Sequence, residues 1–530
     1  MKKTFALIIV ITCLLIFIFG TYINKINVGF SNSNYVGNNK TNLAITLDGQ
    51  RVSNFPSKGM YRVDVTCENA DGKWDYDNWN LSIKNVVNTA TCDVDFTTIS
   101  KTYFNNYIMS LAGTSQGDGQ LVNETDTFAI PNINTYTDLS SSSQYVSYSR
   151  YYSTSSSATS GTSASSAFTF SGTRWRTNPN SMTSGNYYYL KFNIPSTGYY
   201  EACFTLNTES TDGFAYVFVN DTARIRIYPT MPGSECSYIG YLSSSDSVRF
   251  RVDGDTAQLY FNLKRTTSTN NATIGYRYEG SDPNNYVLFN NELWRIIGVV
   301  DSSSHGVSGQ NLVKIVRDDS LNGLVSTSSQ NDYHNSSLKT ILNNYYYNKQ
   351  DATNSGYCYN YHTSSNSLTN APNCNYTVDG INSTYRSMIQ EVTWYQGGAA
   401  DDTATIKDVF QNERELGVDG LHAQQTTAKI GLIYFSDYLY SALSSDCSRN
   451  TLSSNYFESN SCGAKNWLTS KQNLITITPY IDHINLQYTI EGSSWPNMYG
   501  IMIYPSLYLN SSVYVIDGDG SIDDPYIIGM

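Results

Sequence analysis

The chain has 530 residues, more than one hydrophobic core usually serves, so two to four domains are expected. Its formal net charge of -12 excludes a general nucleic-acid binder, which needs a basic face. Charged residues make up only 15% and aromatics 14%, with 45 Tyr, which predicts many strands and polar loops rather than long charged helices.

At the N-terminus, Lys2 and Lys3 precede an apolar stretch from Phe5 to about Gly20. A retained anchor, a cleaved signal peptide and lipidation at Cys13 are the three readings. Phe17-Ile18-Phe19-Gly20 is a poor cleavage site, and Thr12 before Cys13 is larger than a lipoprotein site wants. The anchor is preferred, with Thr21 to Ile23 bringing it near the ~20 residues that a bilayer needs. The two lysines set the N-terminus inside. The expected location is the cell membrane, single-pass, with the bulk extracellular, or secreted if the segment 1–23 is cleaved.

Of the nine cysteines, Cys13 lies in the apolar stretch. The other eight form sequential pairs, each inside one proposed module: Cys67 with Cys92, Cys203 with Cys236, Cys358 with Cys374, Cys447 with Cys462. Structural zinc is the rival reading, but its CxxC spacing is absent.

The expected fold is multidomain and mainly β. After the transmembrane segment, residues 24–41 are Asn/Ser-rich and read as a spacer. Residues 42–98 read as a small β-sandwich, with Leu43, Ile45 and Leu47, then Tyr61, Val63, Val65 and Cys67, on alternating positions. Trp79, Leu81 and Ile83 share another strand face, and Cys92, Val94 and Phe96 a third; core packing is the preferred role of Trp74 and Trp79. Residues 99–124 form a connector with a short helix expected over Tyr103 to Leu111. Residues 125–272 read as a second sandwich, jelly-roll-like, in which Val248, Phe250 and Val252 alternate with outward Arg249 and Arg251. Its Ser/Thr-rich loop 140–166 is expected to be weakly ordered at best. Residues 275–530 read as a C-terminal α+β domain. Asn290-Asn291 marks a type I′ hairpin there, and helices are expected at Ser337 to Tyr347, Tyr385 to Trp394, and Ser436 to Leu443 with Ser436 as N-cap.

Motif chemistry is sparse. His305, His334, His362, His422 and His483 show no HxxxH or HxH spacing, so solvent-exposed histidines are expected. There is no P-loop, GxGxxG or GxSxG. No catalytic or metal-binding residue is assigned. Glu391, Glu413, Glu415 and Asp437 are the carboxylates a glycosidase would draw on, with surface solvation the preferred reading. The tail DGDGSIDDP, with Asp517, Asp519, Asp523 and Asp524, invites calcium. It lacks the EF-hand spacing and the distal Glu, so a tight turn is preferred, and Asp401-Asp402 is a similar case. No cofactor is expected. Tyr187, Tyr189 and Tyr199 flank strands of the second sandwich and are the candidate binding residues, since Tyr stacks on sugar rings and peptide faces.

The segments NYVLFNNELWRIIGVV, KIGLIYFSDYLYSA, SCGAKNWL and PSLYLNSSVYVIDGDGSIDDPYIIG resemble a C-terminal module of uncharacterised surface proteins of low-GC Gram-positive and mollicute-like bacteria. VTCENADGKWDYDNWNLSIKNV and CDVDF resemble an Ig-like Cys-bridged β module that often precedes it. In such proteins GQLVNE runs almost directly into GYRYEGSDPNNYV, which implies that residues 125–272 are an insertion. At greater distance the terminal module is similar to C-type-lectin-like domains of the formylglycine-generating type. Tyr504 stands before Pro505 where those often have Arg, and Ile475 where Trp is common. The resemblance implies no activity.

The leading expectation is a membrane-tethered, non-enzymatic binding or adhesion protein for a glycan or protein ligand, met through the inserted block. The alternatives are a cell-wall- or mucin-directed hydrolase with its site in the C-terminal domain, and a structural surface-layer or spacer protein.

Overall fold

The computed structural model describes residues 28–30, 40–132, 135–206, 215–227, 233–254, 258–321, 333, 336–355, 374–397, 405–414, 425–449, 461–471, 474–479, 487–489, 492–494 and 503–530. The segment 1–23 lies outside them, and no helix among the described residues is long and apolar enough to cross a membrane. The chain is mainly β and divides into two units, residues 1–102 and 103–530.

The first unit holds two small sheets. One runs β3 (Gln50–Val52), β2 (Lys40–Leu47), β7 (Thr89–Thr98), β4 (Tyr61–Glu68), and the other β1 (Val28–Phe30), β6 (Asn80–Lys84), β5 (Asp71–Asp75). Strand β1 falls in the stretch expected as spacer and pairs in parallel with Leu81–Ile83. Alternation along β7 sends Cys92, Val94 and Phe96 into a core with Trp74, Leu81 and Ile83. Trp79 departs from the strand face expected for it. It sits at φ 51° just before β6, and its indole N–H donates to the Pro56 carbonyl. Cys67 and Cys92 are bonded and directly opposite on β4 and β7, so the bridge ties neighbours within one sheet. A two-residue strand, β8 (Thr102–Tyr103), ends this stretch.

In the second unit the helix Phe104–Ser110 leads into β9 (Asp118–Pro131). This long strand pairs antiparallel with β22 (Thr269–Asp282), from Asp118 opposite Asp282 out to Pro131 opposite Thr269. The chain between the two ends of this ribbon builds a sandwich of two six-stranded sheets. The first sheet runs β12 (Thr162–Ser163), β11 (Val146–Ser153), β15 (Tyr187–Asn193), β20 (Ser247–Asp253), β17 (Ala215–Val219), β18 (Thr222–Ile227). The second runs β13 (Phe168–Ser171), β14 (Arg174–Thr177), β21 (Leu259–Thr266), β16 (Gly198–Leu206), β19 (Gly233–Leu242), with β10 (Thr137–Asp138) also on β21. Their inner faces share one core, including Tyr188, Leu190 and Phe192 from the first sheet and Phe204, Phe261 and Leu263 from the second. Residues 125–131 and 269–272 lie in the ribbon rather than in the sandwich. Cys203 and Cys236, facing each other on β16 and β19, are bonded.

The tract 140–166 is ordered, against expectation. It supplies a short capped 3-10 turn at Ser142–Gln144, all of β11 and β12, and a loop laid over the sheet.

Beyond the ribbon, β23 (Tyr286–Phe289), β24 (Glu292–Val300) and β25 (Leu312–Arg317) form a sheet with Ser506–Leu509, Tyr514–Asp517 and Tyr526–Gly529, and β22 joins it through β24. Asn290 and Asn291 sit at φ 58° and 61°, the conformation a type I′ turn demands. Two stretches depart from their expected helices. Tyr385 to Trp394 is helical only over Ser383–Met388, after which Val392–Tyr395 pairs with Gln425–Ala428. The helix expected at Ser436 runs Phe435–Tyr440 and is capped by Tyr434, whose N–H donates to Asp437. Cys447 and Cys462 are bonded. Cys374 is in a disulfide, and Cys358 lies outside the described residues.

Candidate functional site

Alternation on β15 turns Tyr188 into the core and Tyr187 and Tyr189 onto the outer face of the first sheet. Arg249 and Arg251 of β20 face the same way, beside Tyr216 and Phe218 of β17. The Arg251 guanidinium lies 3.6 Å from the Tyr216 ring centre and 4.9 Å from that of Tyr187. That of Arg249 lies 4.4 Å from Phe218 and 5.5 Å from Tyr189. The loop 154–161 is strapped across this cation–aromatic ladder. Its carbonyls accept from the face beneath: Ser155 from the Tyr189 hydroxyl at 2.6 Å, Ser156 from Arg251 at 2.7 Å, and Ala158 from Arg249 at 2.8 Å and the Tyr151 hydroxyl at 3.1 Å.

The strap decides the fate of the predicted residues. Arg249 and Arg251 point outward as their parity requires, yet both are buried. Tyr189 is wholly buried, stacks on Tyr151 at 4.9 Å, and burial pushes its hydroxyl up to about 12. It is a docking residue for the strap, not a free platform. Tyr187 is half-buried against Arg251. Tyr199 belongs to the other sheet, where it is buried with Tyr238 and Tyr136. The three candidate tyrosines therefore share no surface.

A different pair of side chains does. Between β11 and the strap opens a cleft of about 420 Å³. Tyr148, Arg150 and Tyr151 line it together with the hydroxyls of Ser149, Thr159, Ser160, Ser163 and Ser165, and no carboxylate among the described residues does. The pairing of β11 with β15 is irregular between Val146 and Ser149, where Ser147 takes φ 51°. Such a bulge re-aims the side chains around it. Tyr148 is left 43% exposed, with its ring edge-on to Trp175 at 5.1 Å. The Arg150 guanidinium stands 5.7 Å from the Tyr148 ring centre, and its Nη1 donates to the Phe168 carbonyl at 2.7 Å. An aromatic face, a guanidinium and a rim of hydroxyls make a surface for a polyhydroxylated ligand. The sequence signal was Tyr148-x-Arg150 in a Ser-rich tract, hidden because the tract read as weakly ordered.

A second cleft, about 340 Å³, lies at the irregularity of the ribbon near Gly275 and includes Glu124 and Asp301. Burial raises the Glu124 carboxyl, partly offset by Arg449 at 3.4 Å. Asp301 caps the turn Ser302–His305 through the Ser303 N–H and accepts from the Thr273 hydroxyl.

Of the carboxylates expected at the surface of the C-terminal domain, two lie inside it. Glu413 and Asp437 are fully buried, Glu391 is exposed, and Glu415 lies outside the described residues. Asp437 pairs with Lys314 at 2.5 Å and Arg277 at 3.1 Å. Burial alone would raise its carboxyl, but the two cations outweigh burial and hold it low. Burial lowers Lys314 to about 8, against the pull of Asp437. Glu413 accepts from Thr478 at 2.7 Å and from the Ser436 N–H at 2.9 Å, and pairs with Arg414 at 3.1 Å. Unpaired, these charges would not tolerate burial; neighbours from five segments of the chain supply the partners. His305, expected to be exposed, is buried and pushed down to about 4 by that burial, with its Nδ1 accepting from the Val307 N–H. The other four histidines and Asp401-Asp402 lie outside the described residues. In the acidic tail, Asp519 accepts from the Ser521 N–H, and the Asp519 and Gly520 N–H groups donate to the Asp524 carbonyl, which closes a tight turn. One further group, Glu201 with Cys203 and Cys236, has its two sulfurs bonded to each other.

No family model and no curated protein matches this chain. Among solved structures it is similar to the M60 catalytic domain with the CBM51-1 and CBM51-2 domains of Clostridium perfringens ZmpB, at 9% identity over 38% of this chain and 20% of that one, TM-score 0.14. It is similar to the CBM51-2 and INT domains of ZmpB, at 9% identity over 43% and 47%, TM-score 0.14. It is also similar to a cycloisomaltooligosaccharide glucanotransferase of Paenibacillus sp. in complex with cycloisomaltoheptaose, at 12% identity over 29% and 19%, TM-score 0.12. The chain thus spans between about a fifth and just under half of these structures, and likeness at such TM-scores assigns no residue a role.

Proposed function

We propose that this is a membrane-tethered surface protein that binds a glycan through the cleft beside Tyr148, on a jelly-roll-like sandwich carried outward by the β9–β22 ribbon. The observation that carries this reading is the lining itself: one exposed aromatic ring, one guanidinium and five hydroxyl side chains in a single cleft. Sugars present apolar C–H faces ringed by hydroxyls, so a ring plus many small polar groups matches them. The N-terminal apolar segment supplies the tether, and the lectin-like C-terminal domain serves as scaffold. Binding of the full chain to a glycan array tests the proposal. Tyr148→Ala is expected to weaken the retained glycan about tenfold, or ~1.4 kcal/mol. Tyr241→Ala, at an exposed tyrosine of the opposite sheet, is expected to leave binding unchanged. Retention of no glycan, or loss with Tyr241→Ala alone, would sink the assignment.

A further inference from the structure

We infer that the ligand of the Tyr148 cleft is an anionic saccharide, whose carboxylate or sulfate is held by the Arg150 guanidinium. This rests on the glycan reading above and narrows it.

Charge pairing sets Arg150 apart from the buried arginines. Among the described residues the five buried arginines, Arg249, Arg251, Arg277, Arg295 and Arg414, each face a carboxylate. Arg150, half-buried in the cleft wall, faces none there. Its Nη1 is committed to the Phe168 carbonyl, which anchors one corner of the group. Nε and Nη2 have no protein acceptor among the described residues. A planar guanidinium held at one corner offers the fork that carboxylates and sulfates fit.

The balance of donors and acceptors points the same way. A neutral sugar offers hydroxyls that donate as well as accept, and the serine and threonine hydroxyls here can meet both, but among the described residues no carboxylate lines the cleft to repel an anion or compete for Arg150. A guanidinium only donates, and serine and threonine hydroxyls rotate to donate beside it. Tyr148 stands within 5.7 Å of the cation, so one sugar ring could lie on the tyrosine with its acidic group at Arg150. The size of the anion is bounded too. The whole chain carries a net charge of -12, which repels a long polyanion, while a single terminal anionic sugar sees the local cation within a Debye length of roughly 8 Å.

The test uses the full chain and three matched probes: lactose, sialyllactose for a carboxylate, and sulfolactose for a sulfate, by titration calorimetry. At least one acidic probe is expected to bind ten or more times tighter than lactose. That advantage is expected to shrink as salt is raised to about 0.5 M, because the pairing is partly exposed. Arg150→Gln is expected to abolish the preference and Arg150→Lys to keep part of it. If Arg150→Gln fails to fold for want of the Phe168 contact, the salt dependence of the unmodified chain decides. Lactose bound as tightly as both acidic probes overturns this inference and leaves the glycan reading standing. An acidic preference that ignores salt and survives Arg150→Gln also overturns it. Failure of the full chain to retain any saccharide on a broad array overturns both.

Discussion

Glu201 stands on β16 opposite Lys264 of β21, on the outer face of the second sheet. It is only 6% exposed, and burial pushes its carboxyl up to about 7, against the pull of Lys264. The folded chain therefore holds a proton that the unfolded chain releases near 4.5. The stabilisation from this proton is complete below about 4.5 and is lost as pH rises through about 7. Thermal melts from pH 4 to 8 are expected to show a falling Tm across that window. Glu201→Gln is expected to flatten the fall, by up to about 3 kcal/mol, from the pKa difference. At the same scale, strand parity correctly turned Arg249 and Arg251 away from the core, and the same parity turns Tyr187 and Tyr189 outward. It could not show that Tyr189 is covered, because the cover is Ser155, 34 residues away in the chain. The ring that stays exposed, Tyr148, owes its aim to a bulge, which periodicity does not encode.

The strap is the element that makes the cleft. A tract rich in Ser and Thr buries little apolar surface, so composition predicts disorder. Here the order comes from carbonyl groups accepting from two buried arginines and two tyrosines, bonds to charged donors that are worth more than neutral ones. Gly161 allows the close approach, for a Cβ there would lie 2.2 Å from the Tyr152 carbonyl oxygen. Gly161→Ala is expected to cost about 1 to 3 kcal/mol and to weaken glycan binding together with stability, as read by urea denaturation and array binding. Helix ends show the same limit of local signals. Ser436 is a good N-cap by type, but its hydroxyl bonds to Glu413, and Tyr434 takes the cap position with Asp437 as reciprocal acceptor. Ile389, Val392 and Thr393 broke an expected helix because strands Ser506–Leu509 and Gln425–Ala428 offered them ladders, which suits β-branched residues.

Across the whole molecule, stability and binding are lodged in different places. The Lys314–Asp437–Arg277 cluster joins β25, the helix Phe435–Tyr440 and β22 inside the C-terminal domain, with Lys314 also 4.2 Å from the Tyr434 ring centre. Lys314→Met leaves Asp437 one cation short in a fully buried site and is expected to cost about 3 to 5 kcal/mol in urea denaturation. Glycan binding under native conditions is expected to survive it, since the cleft draws on none of these residues. Replacing Cys203 and Cys236 by Ser opens a bridge spanning 33 residues and is expected to cost roughly 3 to 4 kcal/mol in the chain-entropy model, with the loss seen in the same denaturation curves. The amino-acid sequence by itself determined the predominance of strands, the inward and outward parity of their side chains, the Asn290-Asn291 turn and the pairings Cys67–Cys92, Cys203–Cys236 and Cys447–Cys462. Each of these depends on alternation, turn chemistry or a partner close in the chain. Only the tertiary structure decided which outward face is covered, that Glu413 and Asp437 lie buried among cations, and that a serine-rich tract is ordered and frames a cleft. These depend on partners tens to hundreds of residues away, and no local pattern states which distant donor a carbonyl or carboxylate will meet.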